Sequence, residues 1–218
     1  MISRFSKSFA LFAIVGTLAV AAMAQQKPAP KTLFFDSDGK QVSNNEFVDI
    51  RMANSHYPDA TVIKTLADGT IEFHLQKIPQ EGMTAPDFSV RTLDGKTIRL
   101  AELRGKVVVL SFWFIGCPTC RALKPHLNQF KSKFADRDDI VFLAMTADPE
   151  SAVESFLKKE PFDYVQAVDA KTAMTSFVFR TYPKNIVIDR TGKIVYWRGV
   201  IRSWDKFESV VRGELAKN

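Results

Sequence analysis

The chain has 218 residues, 46% of them apolar and 11% aromatic, which is enough for one ordinary hydrophobic core and excludes a disordered or fibrous protein. Lysine and arginine number 30 against 24 aspartate and glutamate, a net charge of +6, but the basic residues are scattered among acids rather than gathered in one run. That distribution describes a solvated surface, and a nucleic-acid partner is set aside.

Residues 1–24 combine a basic start (Arg4, Lys7), an apolar stretch from Phe9 to Ala22 and the small-x-small ending Ala22-Met23-Ala24. This pattern predicts a signal peptide, and hence a periplasmic or otherwise extracytoplasmic mature protein. Left uncleaved, the same stretch would act as a membrane anchor, although it is slightly shorter than the roughly 20 residues a spanning helix needs.

Residues 25–82 read as a linker followed by a small β-rich extension. Lys27-Pro28-Ala29-Pro30 is a short extended spacer. Leu33-Phe34-Phe35 and Lys40-Gln41-Val42 flank an Asp/Gly turn, predicting a hairpin, and Ser43-Asn44-Asn45-Glu46 has the spacing of a capping box opening a brief helix. Thr61–Leu66 and Thr70–Ile78, joined through Asp68-Gly69, predict a second hairpin. His56 and His74 have no second ligand at metal spacing and are taken as ordinary histidines, so no metal site is expected.

Pro79, Gly82 and Pro86 punctuate a boundary, and residues 83–218 alternate strand and helix patterns, predicting an α/β domain. A hairpin over 88–100 leads to Val107-Val108-Val109-Leu110-Ser111-Phe112, a continuous run of the kind a central strand shows when both faces are covered. From Cys117 onward, Leu123, Leu127, Phe130 and Phe134 recur at helical steps. Ile140–Met145 predicts another buried strand; Asp148-Pro149-Glu150 predicts a helix to about Lys159, with Asp148 as its cap. A looser helix over 172–180, a hairpin built on Ile186–Asp189 and Ile194–Trp197, and a helix over 204–216 complete the domain.

Exported proteins usually employ cysteines as staples, yet the only two here lie three positions apart. A Cys-x-x-Cys where a buried strand turns into a helix places the first sulfur among unpaired N–H groups at the positive end of the helix dipole, which favours thiolate. Cys117 is therefore expected to be the nucleophile and Cys120, one turn inside, a shielded resolving thiol. Pro118 fits the first helical turn without losing a hydrogen bond and, with Thr119 and Gly116, makes up the active-site loop. A zinc site lacks a second ligand pair, haem attachment would need histidine where Arg121 stands, and an inert disulfide across so small a loop removes little unfolded-state entropy. A module using the thiols for Cu(I) or to tether a partner stays open as the alternative.

The segments Ala85-Pro86-Asp87-Phe88, Leu93-Asp94-Gly95-Lys96, Leu103 to Leu110, Phe112-Trp113, Cys117-Pro118-Thr119-Cys120-Arg121 and Pro125 resemble the exported TlpA/ResA-type thioredoxin family from about residue 83 to the C-terminus. The resemblance implies a thioredoxin-like fold, a central mixed sheet flanked by helices, and a thiol–disulfide oxidoreductase that needs no cofactor. Tyr182-Pro183 is similar to the family's second landmark, in which a cis proline lies beside the active disulfide; Tyr182, Pro183 and Trp113 would then bind substrate.

Departures from the family pattern are equally informative. Leu123 and Ser111 stand where the family or cytosolic thioredoxins often carry acids, so the base for Cys120 is not identified; Gly116 replaces a common tryptophan, removing one apolar wall. His126 is expected at the surface. Loops of the peroxiredoxin type need threonine and proline where Phe114 and Leu110 stand, which disfavours peroxide reduction. With threonine rather than histidine inside the Cys-x-x-Cys, the potential is expected nearer about −270 mV than about −120 mV. A reducing pair outside the cytoplasm needs an electron supply, so the expected partners are disulfide-containing exported proteins and a membrane thiol donor.

Overall fold

The computed structural model describes residues 30–53, 61–75, 78, 80–177, 179 and 181–217. The signal segment, the Lys27-Pro28-Ala29 spacer, His56 and Pro79 lie outside these residues.

The N-terminal segment forms a four-stranded sheet from β1 (Thr32–Phe35), β2 (Gln41–Val42), β3 (Val62–Thr65) and β4 (Ile71–His74), with a ten-residue helix α1 (Asn44–Ala53) between β2 and β3. Both predicted hairpins form, but the sheet order β2-β1-β4-β3 pairs β1 parallel with β4, a contact across the inserted helix that neither hairpin signal contained. The predicted second strand ends at His74 rather than Ile78. Ser43 Oγ accepts the N–H of Glu46 at 3.2 Å, as its capping spacing suggested.

This segment shares its core with the rest of the chain. Phe34, Phe47 and Phe73 form an aromatic cluster, and Phe47, Ile50 and Ala53 belong to the same apolar cluster as Phe112, Leu143 and Trp197 of the main sheet. Asp49, almost fully buried at 2% exposure, accepts the N–H groups of Arg202 (2.7 and 2.9 Å) and Ser203 (2.8 Å). Glu81 accepts the N–H of Trp197 at 3.0 Å and pairs with the buried Arg198.

Beyond it, a two-stranded ribbon of β5 (Ser89–Arg91) and β6 (Thr97–Arg99) precedes the main sheet of β7 (Val107–Phe112), β8 (Ile140–Met145), β9 (Val165–Ala167), β10 (Lys184–Ile188) and β11 (Ile194–Arg198). The order is β11-β10-β7-β8-β9; β7, β8 and β9 run parallel, and β10 alone opposes them, pairing antiparallel with both β7 and β11. Every residue of β7 is buried because alternate side chains enter different layers. Val108, Leu110 and Phe112 face the layer that α1 and α4 (Lys171–Thr175) help to close, and Val107 and Val109 face the layer of α2 (Pro118–Ser132) and α5 (Trp204–Leu215).

Some expectations shift. The helix α3 (Glu150–Leu157) stops two residues before Lys159, and its cap position is Pro149 with no side-chain cap bond; the Asp148 carboxylate is engaged elsewhere. The helix predicted over 172–180 shortens to Lys171–Thr175. Strand β9 was not anticipated: three residues carry too little periodicity, and it forms by pairing with β8.

Candidate active site

Strand β7 delivers the chain to the site. Trp113 extends the strand by donating its N–H to Met145 O at 3.1 Å; then Phe114-Ile115-Gly116-Cys117 turns, with the Cys117 N–H donating to Phe114 O at 3.1 Å. Helix α2 starts at Pro118, where a missing N–H costs nothing, and Cys117 is its N-cap in an extended conformation (φ −87°, ψ 104°). In the cap, sulfur takes the place of the usual oxygen: Cys117 Sγ accepts the N–H of Cys120 at 3.1 Å.

Cys117 and Cys120 form a disulfide, S–S 2.02 Å with Cα atoms 5.3 Å apart. Each is 3% exposed, so accessibility does not distinguish them as the sequence suggested. Both sulfurs pack into the α2 layer, and the asymmetry that remains is the Cys120 N–H aimed at the Cys117 sulfur. Pro118 and Thr119 are exposed beside them.

The peptide bond Tyr182–Pro183 is cis. Because Lys184 pairs with Phe112, the Tyr182-Pro183 segment arrives next to the β7 exit. Tyr182, 37% exposed, meets Phe114, also 37% exposed, edge-to-face at 5.1 Å, and Phe179 backs Tyr182 at 5.2 Å. A Cβ placed on the exposed Gly116 would lie 3.3 Å from the Phe114 ring. The wall expected to be missing at Gly116 is therefore supplied by Phe114, whose ring lies over the glycine. Burial pushes the Tyr182 phenol up, and the Asp148 charge adds to the effect.

Trp113 sits elsewhere than a substrate groove: at 1% exposure it lies under the loop against Phe156 and Phe162, where it supports the site from below. Ser111 Oγ donates to Asn185 Oδ1 at 3.0 Å within the buried sheet, and Asn185 Nδ2 donates to Gly199 O. Leu123 is a buried alkyl group, so neither position offers a carboxylate. His126 is exposed, against Trp204.

Two charged features escaped the sequence reading. Lys124, 3% exposed within α2, places its ammonium 4.0 Å from the Phe156 ring centroid and pairs with Glu160 at 3.0 Å; burial lowers its pKa while Glu160 opposes the shift. Arg121 pairs with the same carboxylate. Asp148 Oδ2 accepts the N–H of Ile115 at 2.7 Å, two residues before Cys117. Only a search for acids near the loop in space finds it, since 33 positions separate the two residues.

The family model described as Redoxin matches residues 80–211. The chain belongs to the Redoxin family. This redoxin is 34% identical over 118 residues to thiol-disulfide oxidoreductase ResA of Bacillus cereus, covering 53% of this chain and 68% of the relative. It is 31% identical over 117 residues to thioredoxin-like protein YneN of Bacillus subtilis, covering 53% and 69%. Among solved structures, the thioredoxin domain of a thiol-disulfide oxidoreductase from Bacteroides vulgatus superposes with a TM-score of 0.54 at 26% identity, covering 62% of this chain and 97% of the other. The redoxin is a thiol–disulfide oxidoreductase of thioredoxin-like fold, acting on disulfide-bearing proteins as a class.

Proposed function

We propose that this redoxin is an exported protein-disulfide reductase whose attacking sulfur is Cys117 and whose resolving sulfur is Cys120. One observation supports the reading most directly: the disulfide spans the first turn of α2, with the Cys120 N–H donated to the Cys117 sulfur. In the reduced protein the Cys117 thiolate attacks one sulfur of a substrate disulfide, forming a mixed disulfide and releasing the other sulfur as a thiolate that takes up a proton. Cys120 loses its proton to solvent, since neither Ser111 nor Leu123 carries an acid, and attacks Cys117 Sγ. The substrate leaves as a dithiol, the 117–120 disulfide reforms, and two electrons have passed to the substrate; a dithiol donor at the membrane returns them.

Residues 1–24 act as the signal peptide, residues 25–82 as linker and β-rich extension, and residues 83–218 as the redox domain. No helix among the described residues is long and apolar enough to cross a membrane. Tyr182 and Phe114 form the wall against which the substrate segment lies, Pro183 keeps the adjoining backbone free to pair with it, and Pro118, Thr119 and Gly116 shape the loop. The relatives, named as thiol–disulfide oxidoreductases, do not favour a Cu(I) carrier.

The test is capture in the native compartment. Cys120→Ser is expected to accumulate mixed disulfides on Cys117, and Cys117→Ser to abolish both capture and insulin reduction with dithiothreitol. A Cys120→Ser protein that captures nothing, together with a wild type that leaves insulin oxidised, would overturn the reading.

A further inference from the structure

We propose that Asp148 is the positioning residue of the redox loop: its carboxylate, carried at the exit of β8, clamps the turn that presents Cys117 and tunes how readily that sulfur ionises. The inference rests on the reading above, because it has a catalytic meaning only if Cys117 is the attacking sulfur.

The geometry of the turn motivates the assignment. The bond from Cys117 N–H to Phe114 O closes the turn but leaves the N–H of Ile115 without a partner inside it. Asp148 Oδ2 takes that N–H at 2.7 Å and also accepts the Thr146 hydroxyl at 2.8 Å, while Thr146 Oγ1 accepts the N–H of Asp148 at 3.1 Å. The carboxylate is thus locked into one orientation by its own loop before it reaches the turn. That loop is fixed in turn: Thr146, fully buried, donates its N–H to Ala167 O at 3.0 Å and accepts that of Ala170 at 2.9 Å, and Asp148 O accepts the N–H of Asp169 at 3.1 Å. A rigid strand end therefore holds the backbone of the turn that carries the cysteine.

The charge on Asp148 acts beside its geometry. Among the described residues no cation forms an ion pair with Asp148; Arg121 and Lys124 on α2 are taken by Glu160, and Arg91 is taken by Glu150 and Asp169. Asp148 also acts on Tyr182 across the rim. Its negative charge opposes a thiolate at Cys117, whereas the α2 N-terminus and the Cys120 N–H favour one. Clamp and charge therefore work in opposite directions, one raising the rate by fixing the sulfur and the other restraining its acidity.

The two effects separate by substitution in the whole mature chain. Asp148→Asn keeps an oxygen for Ile115 and Thr146 but removes the charge; Asp148→Ala removes both. Cys117 is titrated by the pH dependence of iodoacetamide alkylation in a Cys120→Ser background, and insulin reduction is followed with both cysteines present. Asp148→Asn should lower the apparent Cys117 pKa by roughly half a unit, with turnover at pH 7 within about twofold of wild type. Asp148→Ala should lower the pKa in the same direction and reduce turnover by about 5- to 10-fold, which a purely structural role would not couple to the titration. If Asp148→Ala fails to fold, the Asn titration decides alone. Wild-type insulin reduction with an unmoved Cys117 titration in Asp148→Asn overturns the proposal and leaves the reductase reading standing. A wild type without reductase activity defeats that reading instead.

Discussion

Two helix starts in this redoxin are built with the same device and put to different uses. At α5, the cap residue Ser203 makes no side-chain cap bond, and the N–H groups of Arg202 and Ser203 are taken by Asp49, more than 150 positions away. At α2, the N–H of Ile115 is taken by Asp148, 33 positions away, and the cap itself is a cysteine sulfur. Asp49 is sealed at 2% exposure and joins α1 to the start of α5, so its energy goes into structure. Asp148 is only half-buried, holds the N–H two residues before Cys117, and its charge acts on Tyr182 at the rim. A carboxylate borrowed from a distant segment is thus a joint when water is excluded and a tuning element when a nucleophile stands next to it.

The comparison breaks most readily at the extension. Phe47→Ala, which empties a 4% exposed site in the shared core, should cost about 3–5 kcal/mol of unfolding free energy by denaturant titration, with insulin reduction per folded molecule unchanged. Exchange that fell in proportion to the lost stability would show that the extension acts on the redox site.

Lys184 offers an intermediate effect with a clear sign. This lysine, 1% exposed at the first position of β10 after the cis-proline segment, lies 5.1 Å from the Trp197 ring centroid, and burial lowers its pKa to about 8, with the Arg198 charge adding to the shift. A base with a depressed folded pKa binds fewer protons than the unfolded chain between about 8 and about 10.5, so its contribution to stability rises with pH through that window. Lys184→Met should therefore stabilise the protein by up to roughly 3 kcal/mol at pH 7, an advantage that disappears above about pH 10.5. Melting curves of both proteins from pH 7 to 11 check it, and a pH-independent difference would contradict it.

Asp49→Ala should remove about 2 kcal/mol, lowering Tm by roughly 4–8 °C, while leaving the Cys117 titration untouched, the reverse of what is expected at Asp148. Burial, partly offset by the Arg202 and Ser203 N–H groups, raises the Asp49 carboxyl above its ordinary value. A raised acid is most favourable when protonated, so the stability of wild type relative to Asp49→Asn should grow as pH falls from 7 towards 3.8. A difference that shrank on acidification would reverse the assignment.

The smallest effect belongs to the rim. Gly116→Trp must push the Phe114 ring aside, and turnover of insulin should fall by about 2- to 5-fold while reduction of a small disulfide holds. Equal loss on both would place the change in the sulfur chemistry rather than the wall.

The strands and helices that position the disulfide were legible because their signals are local. The six-residue buried run of β7, the helical recurrence of Leu123, Leu127 and Phe130, and the Cys-x-x-Cys between them lie within one continuous stretch, and the structure forms each of them. The misread elements depended on partners: β9 forms by pairing with β8 and with the segment around Thr92, and Asp148, matched to the cap pattern of α3, found stronger donors in Ile115 and Thr146. Trp113 read as a substrate contact because its neighbours resemble the family motif, yet packing against Phe156 and Phe162 buries it.

From sequence alone came the α/β class, the redox pair and the helix start that would activate it, since periodicity, capping and the helix dipole act over a few residues. Tertiary structure alone decided which carboxylate reaches which N–H, that Phe114 meets Tyr182, and that α1 and the main sheet share one core. Those are distances between segments tens of residues apart. They follow from how the layers close, and no local pattern encodes them.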